Sequence, residues 1–431
     1  MFKLTKKGEF KYINTKYNKN IFVTPFITDT HLHLLGFGEK LVQPSLENKS
    51  LPEIKEIIIN ILKKNPDKII LRGWSEEFSI PDKKFLDDIS EDIPIMLVRR
   101  CGHKAVVNSK VFEQINFKDF EDYIEFEKGF LKEKAIDRFY ETFGAFTNIK
   151  DNYESAKTYL SKKGYNFVHS DDLHGVSKEE LPFLNDTDFF VYEKVAVSSY
   201  DQLLNYYDHG YFKIFKSVKI YLDGSLGART AYLIDKYNDS NTFGEKLWED
   251  SELNEIVRFC ESKGLHLAMH AIGDGAVQQI LKVFEEVKPK LLHRIIHAQI
   301  LKEKQIEKIK KYNLIIDVQP QFIESDKIFI KSRLGNNLNN AFKFYELYKN
   351  NIPLFISSDA PVEEPDWLRD MKKLKELGIP YKYSLFRLTY SPEIVDNINR
   401  EESIEKKALI FNQNPFDEIS LPEMYSEDSL I

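Results

Sequence analysis

The sequence predicts an α/β protein, a (β/α)8 TIM-like barrel with a small β-sandwich formed by the N- and C-terminal segments. Three observations carry that expectation. Short apolar, strand-like runs alternate with amphipathic helical stretches over most of the chain, the pattern of a parallel sheet with crossover helices. Those runs number eight, the strand count of a closed barrel. The 431 residues are enough for such a barrel with additions.

In order, the strands are FITDTH (26–31), NFVHSDD (166–172), DFFVYEKVAV (188–197), VKIYLDG (218–224), HLAMHAIG (266–273), RIIHAQ (294–299), LIIDVQP (314–320) and PLFISSD (353–359). Helices are expected between the later ones. Residues 248–263 place Leu253, Ile256, Val257 and Cys260 at helical spacing, and 274–288 open on Asp274 as N-cap and repeat Val277, Ile280, Leu281 and Phe284. Residues 302–312, 340–351 and 365–377 continue the series. The stretch between the first two strands is too long for a loop. Residues 50–145 hold a helix (SLPEIKEIIINILKKN) and two more strands, IILRGW and IMLVRR, an insertion able to cover an active site. Residues 1–25 and 403–431 read as the short strands of the sandwich, leaving 26–402 for the barrel.

Apolar residues at 42% and charged residues at 30% are ordinary for a soluble globular chain. A formal charge of -7 argues against a nucleic-acid partner. No apolar run reaches the roughly 18 residues that cross a membrane, so no membrane partner is expected. The N-terminal segment lacks the apolar core of a signal peptide, and Cys101 and Cys260 are too few for a disulfide framework. A cytoplasmic location is the expectation.

The chemistry begins at TDTHLHLLGFG (28–38). On a strand, His31 and His33 share a face, as partners in a polar cluster or as ligands for one cation. His270 lies towards the end of the fifth strand, His297 in the second half of the sixth, and Asp359 closes the eighth. Barrel chemistry collects at the C-terminal strand ends, so these residues are expected on one rim. Beside several histidines, Asp359 reads as a metal ligand, with a helix cap as its alternative. Lys219, on the fourth strand, is costly while charged and unpaired; it either pairs with Asp223, four residues on, or loses its charge. Among the other histidines, His169 either reaches the rim or makes a structural hydrogen bond. His266 belongs deeper, His293 at the surface, and His174 and His209 in loops.

Together, THLHLLGFG, VKIYLDGSLGARTA, HLAMHAIGDGAV, RIIHAQ and SSDAPV resemble, in order, the signature segments of the metal-dependent amidohydrolase superfamily. The similarity is greatest to its YtcJ-like branch, which includes N-substituted formamide deformylases. RGW (72–74), CGHKAVVNSKVF (101–112) and SIEKKALIFNQNP extend the resemblance over nearly the whole chain. It implies one or two divalent ions per chain. His31, His33 and Asp359 would hold one, and His270 and His297 a second. Lys219 matches the strand-four lysine that many members carboxylate to bridge two metals. Zinc suits such ligands, and manganese, iron and cobalt are compatible.

The implied function is hydrolysis of a non-peptide C–N bond, amide or formamide-like, in a small-molecule substrate. Metal-activated hydroxide would attack, with Asp359 as proton shuttle. His103 is the first candidate for a substrate-contacting donor, against a satisfied loop histidine. Arg229 would bind an anionic group or pair with a nearby carboxylate, and Trp74 would line an apolar wall or pack in a core. An esterase or lactonase would use the same centre, and a non-catalytic binding protein the same fold. The family's tendency to self-associate adds a homodimer to the expectations. No Gly-x-Gly-x-x-Gly follows the first strand, which disfavours a nucleotide-binding enzyme.

Overall fold

A computed structural model describes residues 1–13, 21–76, 78–146, 148–173, 176–186, 188–390, 392, 407–420 and 422–426. Among them, eight parallel strands form one sheet: β1 (Ile27–Leu32), β2 (Tyr165–Ser170), β3 (Phe190–Ala196), β4 (Ser217–Tyr221), β5 (His266–Ala271), β6 (Arg294–His297), β7 (Ile315–Val318) and β8 (Leu354–Ile356). Each pairs with the next in sequence, in the order of a barrel. Their residues are buried on both faces, which is why parallel strands read as nearly continuous apolar runs.

The seam between β1 and β8 is stitched by single contacts rather than a ladder. Thr30 Oγ1 donates to the Ile356 carbonyl at 3.1 Å, the Asp359 amide to His31 O at 2.9 Å, and the His33 amide to Ala360 O at 2.7 Å. Ser358 Oγ donates to Asp29 Oδ2 at 2.6 Å, while Asp29 Oδ1 accepts the His31 amide at 3.1 Å. The residues after β8 are thereby held against the His-x-His segment.

Helices Asp250–Lys263, Asp274–Val287, Glu303–Lys311, Phe344–Lys349 and Trp367–Glu376 occupy the five expected stretches. Asp274 is not the N-cap; Gly273 is, and Asp274 Oδ1 accepts the Ile234 amide at 2.9 Å. Within 50–145, a capping box starts helix Leu51–Leu62, where Glu53 Oε2 accepts the Ser50 amide at 2.9 Å. A separate sheet follows, ordered Ile69–Trp74, Ile95–Arg99, Lys104–Val107, Phe130–Lys132, Ile124–Glu125. Alternation gives it two apolar faces. Ile70, Met96 and Val98 pack with Ile136 and Phe139 of helix Lys134–Phe143; Ile69, Leu71 and Leu97 pack with Ile54 and Ile58.

At the termini, Phe2–Leu4, Phe10–Tyr12, Phe22–Pro25, Lys407–Phe411 and Glu423–Ser426 form one five-stranded sheet. Lys407–Phe411 pairs antiparallel with Phe22–Pro25, so the two ends of the chain do meet. In place of two facing layers, the described residues give a single sheet. Residues 14–20, 403–406, 421 and 427–431 of the two terminal segments, and His174, lie outside the described residues. Among the described residues, no helix is long and apolar enough to cross a membrane.

Candidate active site

β1 ends at Leu32, so His31 is the buried penultimate strand residue and His33 the first beyond it, in contact with a cavity. Asp359 lies three residues past the end of β8 rather than on it. Its Oδ1 is 3.1 Å from His31 Nε2 and 3.5 Å from His33 Nε2. One ligand atom from each of the three falls within 4.8 Å of the others. Asp359 (φ 58°) and His297 (φ 77°) have left-handed backbones. That conformation costs a non-glycine residue about 1–3 kcal/mol and persists where the surroundings over-determine it.

His270 and His297 form the second half of the cluster. The His297 Nδ1–H donates to Gln319 Oε1 at 2.7 Å, and Gln319 is oriented by its own donation to Ser357 Oγ at 2.9 Å. The His270 Nε2–H donates to the Gly224 carbonyl at 3.1 Å. Assigned from this network, the remaining nitrogens, His270 Nδ1 and His297 Nε2, are both lone-pair acceptors, and they face each other at 3.1 Å. Two lone pairs so placed repel unless a cation joins them, and outer partners that fix a tautomer in this way are typical of ligating histidines.

The protonation states suit the same occupant. Burial, then the Lys219 and Lys194 cations, pushes His31 well below the usual imidazole range. Burial, then the neighbouring imidazoles His297 and His103, does the same to His270. Burial outweighs the Asp359 carboxylate and lowers His297 to about 4. Burial alone would raise Asp359, but hydrogen bonds from His31 and His33 hold it well below the carboxylate range. Neutral imidazoles around an ionised carboxylate are the donor set of a divalent metal. His33 differs: burial opposes its charge, yet Asp171 raises it to about 9, so a cation must displace its proton.

Asp171 was not expected. One residue past β2 and fully buried, it lies 2.9 Å from His33 Nδ1 through Oδ1. Its Oδ2 accepts from Lys219 Nζ at 2.8 Å and from the Tyr221 hydroxyl at 2.6 Å. Asp171 is therefore the partner of Lys219. Asp223 is not, because its carboxylate accepts the amides of Ile272, Gly273 and Tyr232 at 2.8–3.0 Å. The only signal in the sequence was the acid pair Asp171–Asp172 that closes the run NFVHSDD at a strand end.

A cavity of about 520 Å³ opens between the barrel rim and the insertion. The rim contributes His33, Asp171 and Tyr221; the insertion contributes Arg72, His103, Glu133, Asp137 and Tyr140. His103 thus stands at the cavity, its Nδ1 2.8 Å from Glu133 Oε2. Burial opposes its protonation, but Glu133 raises it to about 9.

The structure does not bring the other two candidates there. Trp74 is fully buried in the core of the insertion, stacked on Phe130 and donating Nε1–H to Leu97 O at 2.7 Å. Arg229 is held by Asp239 through Nε at 3.1 Å and Nη2 at 3.0 Å, and Arg333 shares that carboxylate. Neither lines the cavity. His169 points into the barrel interior, its Nδ1 2.8 Å from Arg294 Nη1. His293 is buried rather than at the surface.

The sequence profile of the amidohydrolase family matches residues 19–372. A Bacillus subtilis (strain 168) protein that carries the name amidohydrolase YtcJ is 31% identical over 388 residues, 79% of this chain and 71% of its own. An uncharacterized metal-dependent hydrolase from Pyrococcus furiosus superposes with a TM-score of 0.70 at 28% identity, covering 92% of this chain and 88% of that one. Its counterpart from Pyrococcus horikoshii OT3 gives 0.70 at 26%, covering 92% and 87%. With a match over most of its length and histidines gathered around an aspartate at the barrel rim, the chain belongs to the amidohydrolase family of metal-dependent hydrolases.

Proposed function

We propose that the chain hydrolyses a non-peptide C–N bond in an amide or formamide-like small molecule. The observation that carries this reading is Asp359 Oδ1, 3.1 Å from His31 Nε2 and 3.5 Å from His33 Nε2, with His33 lining a cavity of about 520 Å³. That volume suits a small organic substrate. His31, His33 and Asp359 would hold one divalent ion, with zinc well suited, and His270 and His297 would take a second. Such an ion supplies positive charge for a carbonyl oxygen and acidifies water.

The chain's own residues do the rest. Asp359, held anionic, takes a proton and delivers it to the leaving nitrogen, which departs poorly as an unprotonated amine. His103 offers a hydrogen bond to the substrate. Lys219 Nζ donates to Asp171 Oδ2 at 2.8 Å, and its carboxylation would add a further ligand for the two-ion form. A carbamate on Lys219 would set a second anion against Asp171, so the two-ion form requires Asp171 to take a new partner.

The test uses protein purified without chelator. Bound metal is counted, and the peptide containing Lys219 is weighed for an added carboxyl group. Turnover is compared on N-benzylformamide and benzyl formate. At least one ion per chain is expected, with amide turnover lost on chelation. Asp359→Asn should reduce turnover by about 10²–10⁴-fold. Turnover of the ester alone would replace this reading with an esterase. A preparation that holds no metal and hydrolyses neither compound would leave a non-catalytic binding protein.

A further inference from the structure

His103 and Glu133 both come from the insertion, and their pair is where it meets the barrel rim. Their side chains are 15% and 4% exposed, with His103 Nδ1 2.8 Å from Glu133 Oε2. With Nδ1–H committed to Glu133, Nε2 is the nitrogen left for a substrate. The His103 ring centroid stands 5.0 Å from that of His270 and 6.3 Å from that of Tyr221.

Glu133 is itself held firmly. It caps helix Lys134–Phe143 with a backbone at φ 43°, and its carbonyl accepts the Ile136 amide at 2.8 Å. Its other carboxylate oxygen reaches the segment just past β4, where a Cβ on Gly224 would lie 2.2 Å from Oε1. Only glycine permits that approach, and the same Gly224 carbonyl orients His270 at 3.1 Å. One carboxylate therefore braces His103 and packs on the segment that orients a candidate ligand.

We propose that Glu133 is a positioning residue: its carboxylate fixes the His103 ring so that Nε2 faces a substrate in the cavity. The inference rests on His103 being the substrate-contacting donor of the hydrolase reading. Outer partners that orient a functional imidazole typically change activity by about 10–100-fold when lost.

The test uses the metal-loaded full chain with ¹⁵N-labelled histidine. His103→Gln assigns the His103 signals by their disappearance. The wild type should show a protonated, hydrogen-bonded Nδ1, and Glu133→Gln should shift that resonance towards mixed tautomers at unchanged metal content. On N-benzylformamide, Glu133→Gln and His103→Gln should each lower kcat/KM about 10–100-fold, mainly through kcat. The double variant should be no worse than the weaker single variant.

An unchanged Nδ1 resonance in Glu133→Gln, or losses that multiply in the double variant, would overturn the proposal. So would a Glu133→Gln protein that loses only thermal stability. Glu133→Asp, which shortens the reach but keeps the charge, supplies the same readings should Glu133→Gln not fold. If the wild type turns over neither amide nor ester, the hydrolase reading fails, while the resonance still decides whether Glu133 fixes His103.

Discussion

Asparagine in place of Asp171 would leave three donors around a neutral side chain at the buried edge of the cavity. The carboxylate serves His33 Nδ1 at 2.9 Å, Lys219 Nζ at 2.8 Å and the Tyr221 hydroxyl at 2.6 Å. Both Asp171 and Lys219 are 0% exposed, so the Lys219 cation stays buried when the anion is lost. Removing one partner of a buried ion pair costs about 3–5 kcal/mol, chiefly because the other charge stays buried and alone. Against a typical total of about 5–15 kcal/mol, that is a large share of the stability. Lys194, a second buried cation whose pKa burial lowers to about 8, adds to the strain. The assay is urea unfolding followed by tryptophan fluorescence, with EDTA present so that the pair is read without metal. Asp171→Asn should lose at least about 3 kcal/mol, and Asp171→Asn with Lys219→Met should recover most of it, because both charges are then gone. A single variant within about 1 kcal/mol of wild type, or a double variant no more stable than the single, would refute the assignment of Asp171 as the counter-ion.

Acid stability offers a second measurement, away from the rim. His293 Nδ1 accepts the Leu267 amide at 3.0 Å and its Nε2–H donates to Glu261 Oε1 at 2.9 Å, so the ring is held neutral. Burial, opposed by Glu261, lowers its pKa from 6.5 to about 4. Because the folded value is depressed, this contribution is complete above the unfolded pKa and is lost as pH falls through about 4; it amounts to about 3 kcal/mol. His293→Asn should flatten that part of the acid limb in stability-against-pH curves, and an unaltered limb would count against it. Trp74→Phe should cost about 1–2 kcal/mol through the unsatisfied Leu97 carbonyl, with KM unchanged. Arg229→Ala should also leave KM within about twofold, since its guanidinium is already engaged by Asp239; a tenfold rise in either KM would restore that residue to the substrate.

Much of the fold was legible because its determinants are local. Each barrel strand is an apolar run bounded by polar residues, and each of the five later helices shows one apolar stripe; both patterns lie within a dozen residues. His31, His33, His270, His297 and Asp359 were recognisable because strand ends share one rim, so position along a strand implied position in space. Within the insertion, only the helix and first two strands stood out; the remaining strands are short and their alternation brief.

What the sequence by itself determined is the order of strands and helices and the ring of residues at the strand ends, since backbone periodicity and side-chain direction set both. Tertiary structure decided who partners whom. Lys219 chose Asp171, 48 residues away, over Asp223 close by, because three backbone amides had already claimed Asp223. Likewise Glu133 found His103, Asp239 took Arg229, and the interior of the insertion closed over Trp74. A charge or an indole settles on whichever complementary group the packed chain brings within a few ångströms, and that distance is written in no single stretch of residues.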